Sequence, residues 1–141
     1  WDYKTGSTRG YEPNDPFNKG RHLQPYLYAT IVAHRLEQLD PGQSAVKSFG
    51  FFFPGRRGAG RRISWSREQL EPGSVLLSQL CEAIRKGAFL ATNNSDDCKY
   101  CEYQAICGDV DEVALASHRK LENPSNQDLI PFKQLRCGNA Q

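Results

Sequence analysis

The chain has 141 residues, enough for one domain with a core of its own, and its 38% hydrophobic and 24% charged residues fit a globular protein. No apolar run approaches membrane-spanning length and no signal-peptide pattern opens the chain, so the expectation is a cytoplasmic protein without a membrane partner. A net charge of +2 does not by itself demand nucleic acid, and five cysteines (Cys81, Cys98, Cys101, Cys107 and Cys137), three of them crowded together, argue against a secreted disulfide framework and for a metal site in a reducing cytosol.

The opening stretch, Trp1-Asp2-Tyr3-Lys4-Thr5-Gly6, alternates side chains and ends in a turn signal, which predicts the end of a β-strand. Asp2 and Lys4 are two apart and therefore share a face. A carboxylate beside an ammonium at a strand end suits a divalent metal with a phosphate next to it; an ordinary ion pair on a sheet is the plainer reading. The chain contains no Met and begins inside this strand, so it is expected to be a fragment whose N-terminal part is missing.

Residues 5–20 form a long polar loop rich in Gly, Pro, Asn and Asp. From about Arg21 to Leu39 the apolar positions fall at helical spacing in two lines, Leu23, Leu27 and Ile31 beside Tyr28, Val32, Leu36 and Leu39, and Asp40-Pro41-Gly42 ends the pattern. Pro25 requires that the helix start near His22 or kink there. Gln24 and Tyr28 share a face near that start and could reach a site at the adjacent strand end; a partly exposed Gln beside a core Tyr is the plainer reading.

Ala45–Phe53 reads as a strand, stopped by Pro54 and Gly55, with residues 61–65 as its return partner. The connection carries Arg56, Arg57, Arg61 and Arg62 among glycines, which suits backbone phosphates or simply a solvated turn. Residues Leu70 to Lys86 are predicted as a second helix with Pro72 in its opening turn and Gly87 at its C-cap. Its apolar face is Leu77, Leu80, Cys81 and Ile84, which makes Cys81 a buried thiol. Next comes C-x2-C-x5-C at Cys98, Cys101 and Cys107, a spacing that thiolate-loving zinc or an iron–sulfur cluster would use. Such sites take four ligands as a rule; Cys137, His118 or a residue preceding the chain are the alternatives for the fourth. Residues 109–119 suggest a short helix, and the tail from Glu122 is polar with no readable chemistry.

In this order, Asp2-Tyr3-Lys4-Thr5-Gly6, Gln24-x3-Tyr28, a strand pair, a helix ending in Gly87-Ala88-Phe89, and the three cysteines resemble the RecB/AddB-type nuclease domain of the PD-(D/E)XK superfamily, in its iron–sulfur branch. The resemblance implies an α/β, restriction-endonuclease-like fold, a mixed sheet flanked by helices, incomplete here at the N-terminus and carrying a C-terminal cysteine-rich segment. Residues 1–90 would be the later part of the nuclease core, 91–119 the iron–sulfur segment and 120–141 a polar tail. The implied activity is Mg²⁺- or Mn²⁺-dependent hydrolysis of DNA, with single-stranded ends as one form of substrate and a helicase domain or subunit as partner in double-strand-break repair. Asp2 would be a metal ligand, Lys4 the lysine of D-x-K, Gln24 and Tyr28 the family's Q-x3-Y helix, and Cys98, Cys101 and Cys107 three ligands of a [4Fe–4S] cluster. The family's first acidic ligand and its upstream cysteine are not in these residues, so the expectation for the isolated fragment is inactivity. A nucleic-acid-binding module without catalysis, stabilised by zinc or a cluster and using the Arg hairpin with Tyr100 and Tyr103, is the rival; a family member that has lost catalysis and serves as a scaffold is another.

Overall fold

A computed structural model describes residues 1–43 and 45–137, with the backbone alone at Cys137. Two compact units share the chain: Trp1–Ser78 together with the chain from Leu135, and Gln79–Gln134. No helix among the described residues is long and apolar enough to cross a membrane.

The first unit is a mixed α/β assembly around three strands, β1 (Asp2–Tyr3), β2 (Ser48–Phe53) and β3 (Arg61–Ser66), in the order β1-β2-β3. β1 lies parallel to β2 with Asp2 opposite Phe51, and β2 runs antiparallel to β3 with Phe51 opposite Ile63. The parallel pair requires a crossover. It consists of the 5–23 loop and helix α1 (Gln24–Leu39). Alternation then sorts the side chains of β2: Phe51 and Phe53 are fully buried on one face, and Trp65 of β3 joins them there. Phe51 packs edge-to-face on Trp65 at 5.6 Å and on Phe49 at 5.3 Å between ring centroids, the arrangement aromatic quadrupoles prefer. On the other face Gly50 has no room for a side chain, because a Cβ there would stand 2.7 Å from the backbone oxygen of Ile63 and 2.6 Å from the Trp1 ring.

The strands agree with the pattern read from sequence, with β2 starting at Ser48 rather than at Ala45. Helix α1 starts at Gln24 with Pro25 in its first turn, where the missing N–H costs nothing. Its expected apolar stripe is only partly covered: Ile31, Val32 and Leu39 stay exposed.

The second helix, predicted from Leu70 to Lys86, starts at Gly73, and a separate short helix precedes it. Ser66 and Gln69 form a capping box that starts the short α2 (Arg67–Leu70), and Pro72, unable to donate, separates it from α3 (Gly73–Arg85). Cys81 is not buried, contrary to expectation; it is exposed, as is Ile84. The buried line of α3 runs through Leu76 and Ala83, one position back from the expected one, and successive residues on a helix are about 100° apart, so that step turns Cys81 outward. In the second unit, α4 (Gln104–Cys107) is a single turn, and α5 (Val110–Glu122) is capped by Asp109, which accepts from the N–H groups of Asp111 and Glu112. The tail, unreadable from sequence, forms α6 (Ile130–Cys137), and Leu135 is buried against Gly20 in the first unit.

Phe51 has aromatic partners on several sides, so Phe51→Ala should lower stability by about 3–5 kcal/mol, a large share of the ~5–15 kcal/mol of an ordinary domain. Urea denaturation followed by tryptophan fluorescence measures this; a loss under about 1 kcal/mol would show that the aromatic cluster is not the core.

Candidate active site

The period of two along β1 puts Asp2 and Lys4 on the same face as Phe51 and Phe53, while Trp1 and Tyr3 take the opposite face. Lys4 extends the ladder beyond the strand, its N–H donating to the Phe52 carbonyl at 2.9 Å. Its side chain turns back over the Phe51 ring, with Nζ 4.6 Å from the centroid, a cation–π contact on a buried aromatic. Lys4 Nζ donates to Gln24 Oε1 at 2.8 Å and stands 2.9 Å from Asp2 Oδ2. Both side chains of the ion pair are about a quarter exposed, 23% for Lys4 and 28% for Asp2, so water screens the pair only in part.

The Asp2–Lys4 contact is an ion pair by distance without hydrogen-bond alignment: Asp2 Oδ2 is buried and has no hydrogen-bond partner. The Lys4 ammonium offsets the charge of that buried carboxylate oxygen, whose lone pairs are not taken up by an aligned hydrogen bond. Carboxylate oxygen is the donor that Mg²⁺ and Mn²⁺ prefer, and Mg²⁺ commonly takes one or two carboxylates with waters and substrate phosphate completing its shell. The donor set at Asp2 therefore fits such an ion.

Gln24 reaches Lys4 because Pro25 sets the start of α1 at the strand end. Tyr28, one turn on and on the same side of α1 as Gln24, packs edge-to-face on Phe49 at 5.9 Å and remains 41% exposed, so it is not a core tyrosine.

The 5–23 loop is pinned at several points. Tyr11 stands on Phe51 and Phe53 at 5.0 and 5.4 Å between ring centroids, Trp65 Nε1 donates to the Glu12 carbonyl at 3.0 Å, and Phe17 is buried. Its last turn delivers His22, a residue for which sequence reasoning assigned no role. Burial, outweighing the attraction of Asp15 and helped by the charges of Arg21 and Lys4, holds the His22 imidazole below its usual pKa. The sequence signal was the Asn18-Lys19-Gly20 turn just before it, since Asn and Gly tolerate the left-handed region.

The four arginines do not form one patch. Arg61 Nη1 donates to Thr8 Oγ1 at 3.1 Å, whereas Arg62, the next residue and so on the opposite face, lies over Phe52 and Trp1 at 5.0 and 5.7 Å. Arg56 and Arg57 are exposed in the connecting turn.

Cys98 closes a 3₁₀ turn (Ser95–Cys98) that Asn94 caps, Cys101 follows it, and Cys107 ends α4; all are free thiols. Partial burial, then the neighbouring Cys101, Cys107 and Asp97 charges, push the Cys98 thiol above its usual pKa. Among the described residues, however, no three His, Cys, Asp or Glu side chains are gathered closely enough to hold a metal ion. His118 is engaged with Glu122 on α5, 3.3 Å from Nε2 to Oε1, and the Cys137 side chain lies outside the described residues.

Residues 1–108 match the PD-(D/E)XK nuclease superfamily, a stretch that takes in Asp2, Lys4, Gln24, all three strands and the cysteines up to Cys107. No curated protein and no solved structure matches the chain. With more than half its length matched, including the D-x-K strand that the superfamily's name describes, this chain belongs to the PD-(D/E)XK nuclease superfamily.

Proposed function

We propose that the chain is the D-x-K part of a RecB/AddB-type, divalent-metal-dependent nuclease of the iron–sulfur branch, hydrolysing DNA phosphodiester bonds in a helicase–nuclease that processes broken ends. The observation that carries the reading is the meeting of Lys4 with Asp2 at 2.9 Å and with Gln24 at 2.8 Å. An ammonium held by a carboxylate, an amide oxygen and a buried ring is preorganised: it does not have to be collected when charge develops on a phosphate.

Asp2 would hold Mg²⁺ or Mn²⁺ through its buried oxygen. Such an ion, when bound, polarises the phosphate and lowers the pKa of an attached water. Lys4 keeps its proton at Nζ and offers positive charge to the non-bridging oxygens as the attacking water adds and the leaving oxygen departs. Gln24 accepts from Lys4 and fixes its direction. Tyr28, exposed one turn further along α1, is available to the nucleic acid. Arg56 and Arg57, and Arg61 and Arg62 from the two faces of β3, supply phosphate contacts at the sheet edge.

Cys98, Cys101 and Cys107 would take three corners of a [4Fe–4S] cluster within residues 91–119. The C-x2-C-x5-C spacing and the influence of Cys101 and Cys107 on the Cys98 thiol support this. Metal binding couples to folding, so the thiols are expected to close on the cluster as it assembles.

Two experiments test the reading. Lys4→Ala should reduce Mg²⁺-dependent DNA cleavage at least about 100-fold while the thermal melt moves little, because a partly screened ion pair contributes about 1 kcal/mol or less. Full retained activity would remove Lys4 from the mechanism. Anaerobically purified protein should carry about four iron and four sulfide per chain, and Cys101→Ser should release them. Zinc without iron would favour the non-catalytic binding module, for which the exposed Tyr100 and Tyr103 are the natural base contacts.

A further inference from the structure

The sheet has a second face, turned away from Asp2 and Lys4. The alternation that sends Phe51 and Phe53 inward puts Trp1 and Tyr3, Phe52 of β2 and Arg62 of β3 on this other side, around Gly50. Tyr3 meets Phe52 edge-on at 5.6 Å between ring centroids, and the Arg62 guanidinium lies over both Phe52 and Trp1. Gly50 leaves the space that the Trp1 ring occupies, since a Cβ there would press on that ring.

Unlike the packed face, this one is open. Trp1 is 63% and Tyr3 68% exposed, and Arg62 is exposed as well. Single exposed aromatics are ordinary on a protein surface, but three adjoining rings with a guanidinium across two of them make a continuous patch, and such patches mark docking surfaces. The charge of the patch selects the partner. None of the residues that β1, β2 and β3 turn to this face is acidic, while Arg62 stands on it and Arg56 and Arg57 are exposed in the turn that leads into β3. Cations favour phosphates, and exposed aromatic rings favour flat π systems laid on them. A duplex keeps its base faces stacked inside, so an unpaired strand is the partner that offers phosphates and open base faces together.

We propose, on the reading of DNA as the chain's substrate, that this face is a platform for an unpaired strand: Trp1 and Tyr3 stack bases, and Arg62, with Arg56 and Arg57 of the turn, pairs with phosphates. Residues two apart on a strand stand about 6.6 Å from each other, which gives each of the two rings a base of its own. Arg62 suits its part because stacking uses the face of the guanidinium and leaves the N–H donors for phosphate. Asp2 and Lys4 alternate with Trp1 and Tyr3 along the chain, so platform and reacting pair lie back to back. The platform holds the strand and takes no part in hydrolysis, so its contribution is read in binding, without catalysis.

The test is a titration with oligothymidine of about 15 nucleotides in buffer containing EDTA, where no metal-dependent hydrolysis runs. The chain has two tryptophans and Trp65 is buried, so quenching of the emission reports Trp1. Oligothymidine should quench it. Tyr3→Leu keeps an apolar side chain but removes the flat face, and should weaken binding at least about fivefold, measured by anisotropy of the labelled oligonucleotide. Arg62→Ser should lower the slope of log affinity against log salt by about 0.7. Thermal melts establish that each variant is folded, and Trp1→Leu, at the first residue, serves where Tyr3→Leu does not fold. Affinity and salt slope unchanged in these variants overturn the proposal. So does a Trp1 emission that acrylamide cannot quench in the free protein, which would show the face covered by protein. A duplex of the same length, or polyglutamate, bound as tightly as oligothymidine overturns it as well. Binding with the expected losses but without Mg²⁺-dependent cleavage overturns the nuclease reading instead and leaves the platform standing.

Discussion

Phe51 is the ring on which the first unit closes. It is fully buried at the centre of β2, opposite Asp2 on one side and Ile63 on the other, with Phe49 and Trp65 edge-on around it and Tyr11 of the crossover loop above. The same ring carries the Lys4 ammonium. Core and candidate site therefore share a wall. The packing that excludes water from β2 also strengthens the charge interaction at the end of β1, because a largely buried carboxylate and ammonium act on each other through a medium less screening than water.

That shared wall also explains the economy of the site. Three side chains from two elements meet there: Asp2 and Lys4 from a strand end and Gln24 from a helix start. Strand ends and helix starts are firmly placed, so long side chains reach from them with little loss of direction. The loop between them is tied down by Tyr11, by the Trp65 bond to the Glu12 carbonyl and by the Asp15 clamp, and is thereby part of the site's support. The buried oxygen of Asp2 has the Lys4 ammonium 2.9 Å away and no aligned hydrogen bond.

The second unit follows a different logic. Tyr100, Tyr103 and Ile106 are all exposed, and the short turns around Cys98 and Cys107 are held by local caps and backbone bonds. Among the described residues no three metal-ligating side chains are gathered there, although the Cys101 and Cys107 charges reach the Cys98 thiol. The family match ends at Gly108, just beyond the last of them.

Much of this was legible in the order of residues. The alternation of Trp1 to Lys4 put Asp2 and Lys4 on one face, the aromatic run of β2 and its Arg-rich return strand announced the hairpin, and Pro25 located the start of α1, all because these features follow from backbone periodicity within one element. The break at Pro72 was open to the same reasoning and was read as a start when it is a gap between two helices. What only the tertiary structure decided is which elements meet. The bond from Lys4 to Gln24 spans twenty residues, the position of Lys4 over Phe51 depends on strand register, and the outward turn of Cys81 depends on which line of α3 is packed. His22 has no sequence motif of its own; its place on the Tyr11 ring comes after a left-handed turn clamped by Asp15. Direction along a strand or helix is a local property of the chain, whereas contact between elements is set by packing of surfaces far apart in sequence, and no local pattern records it.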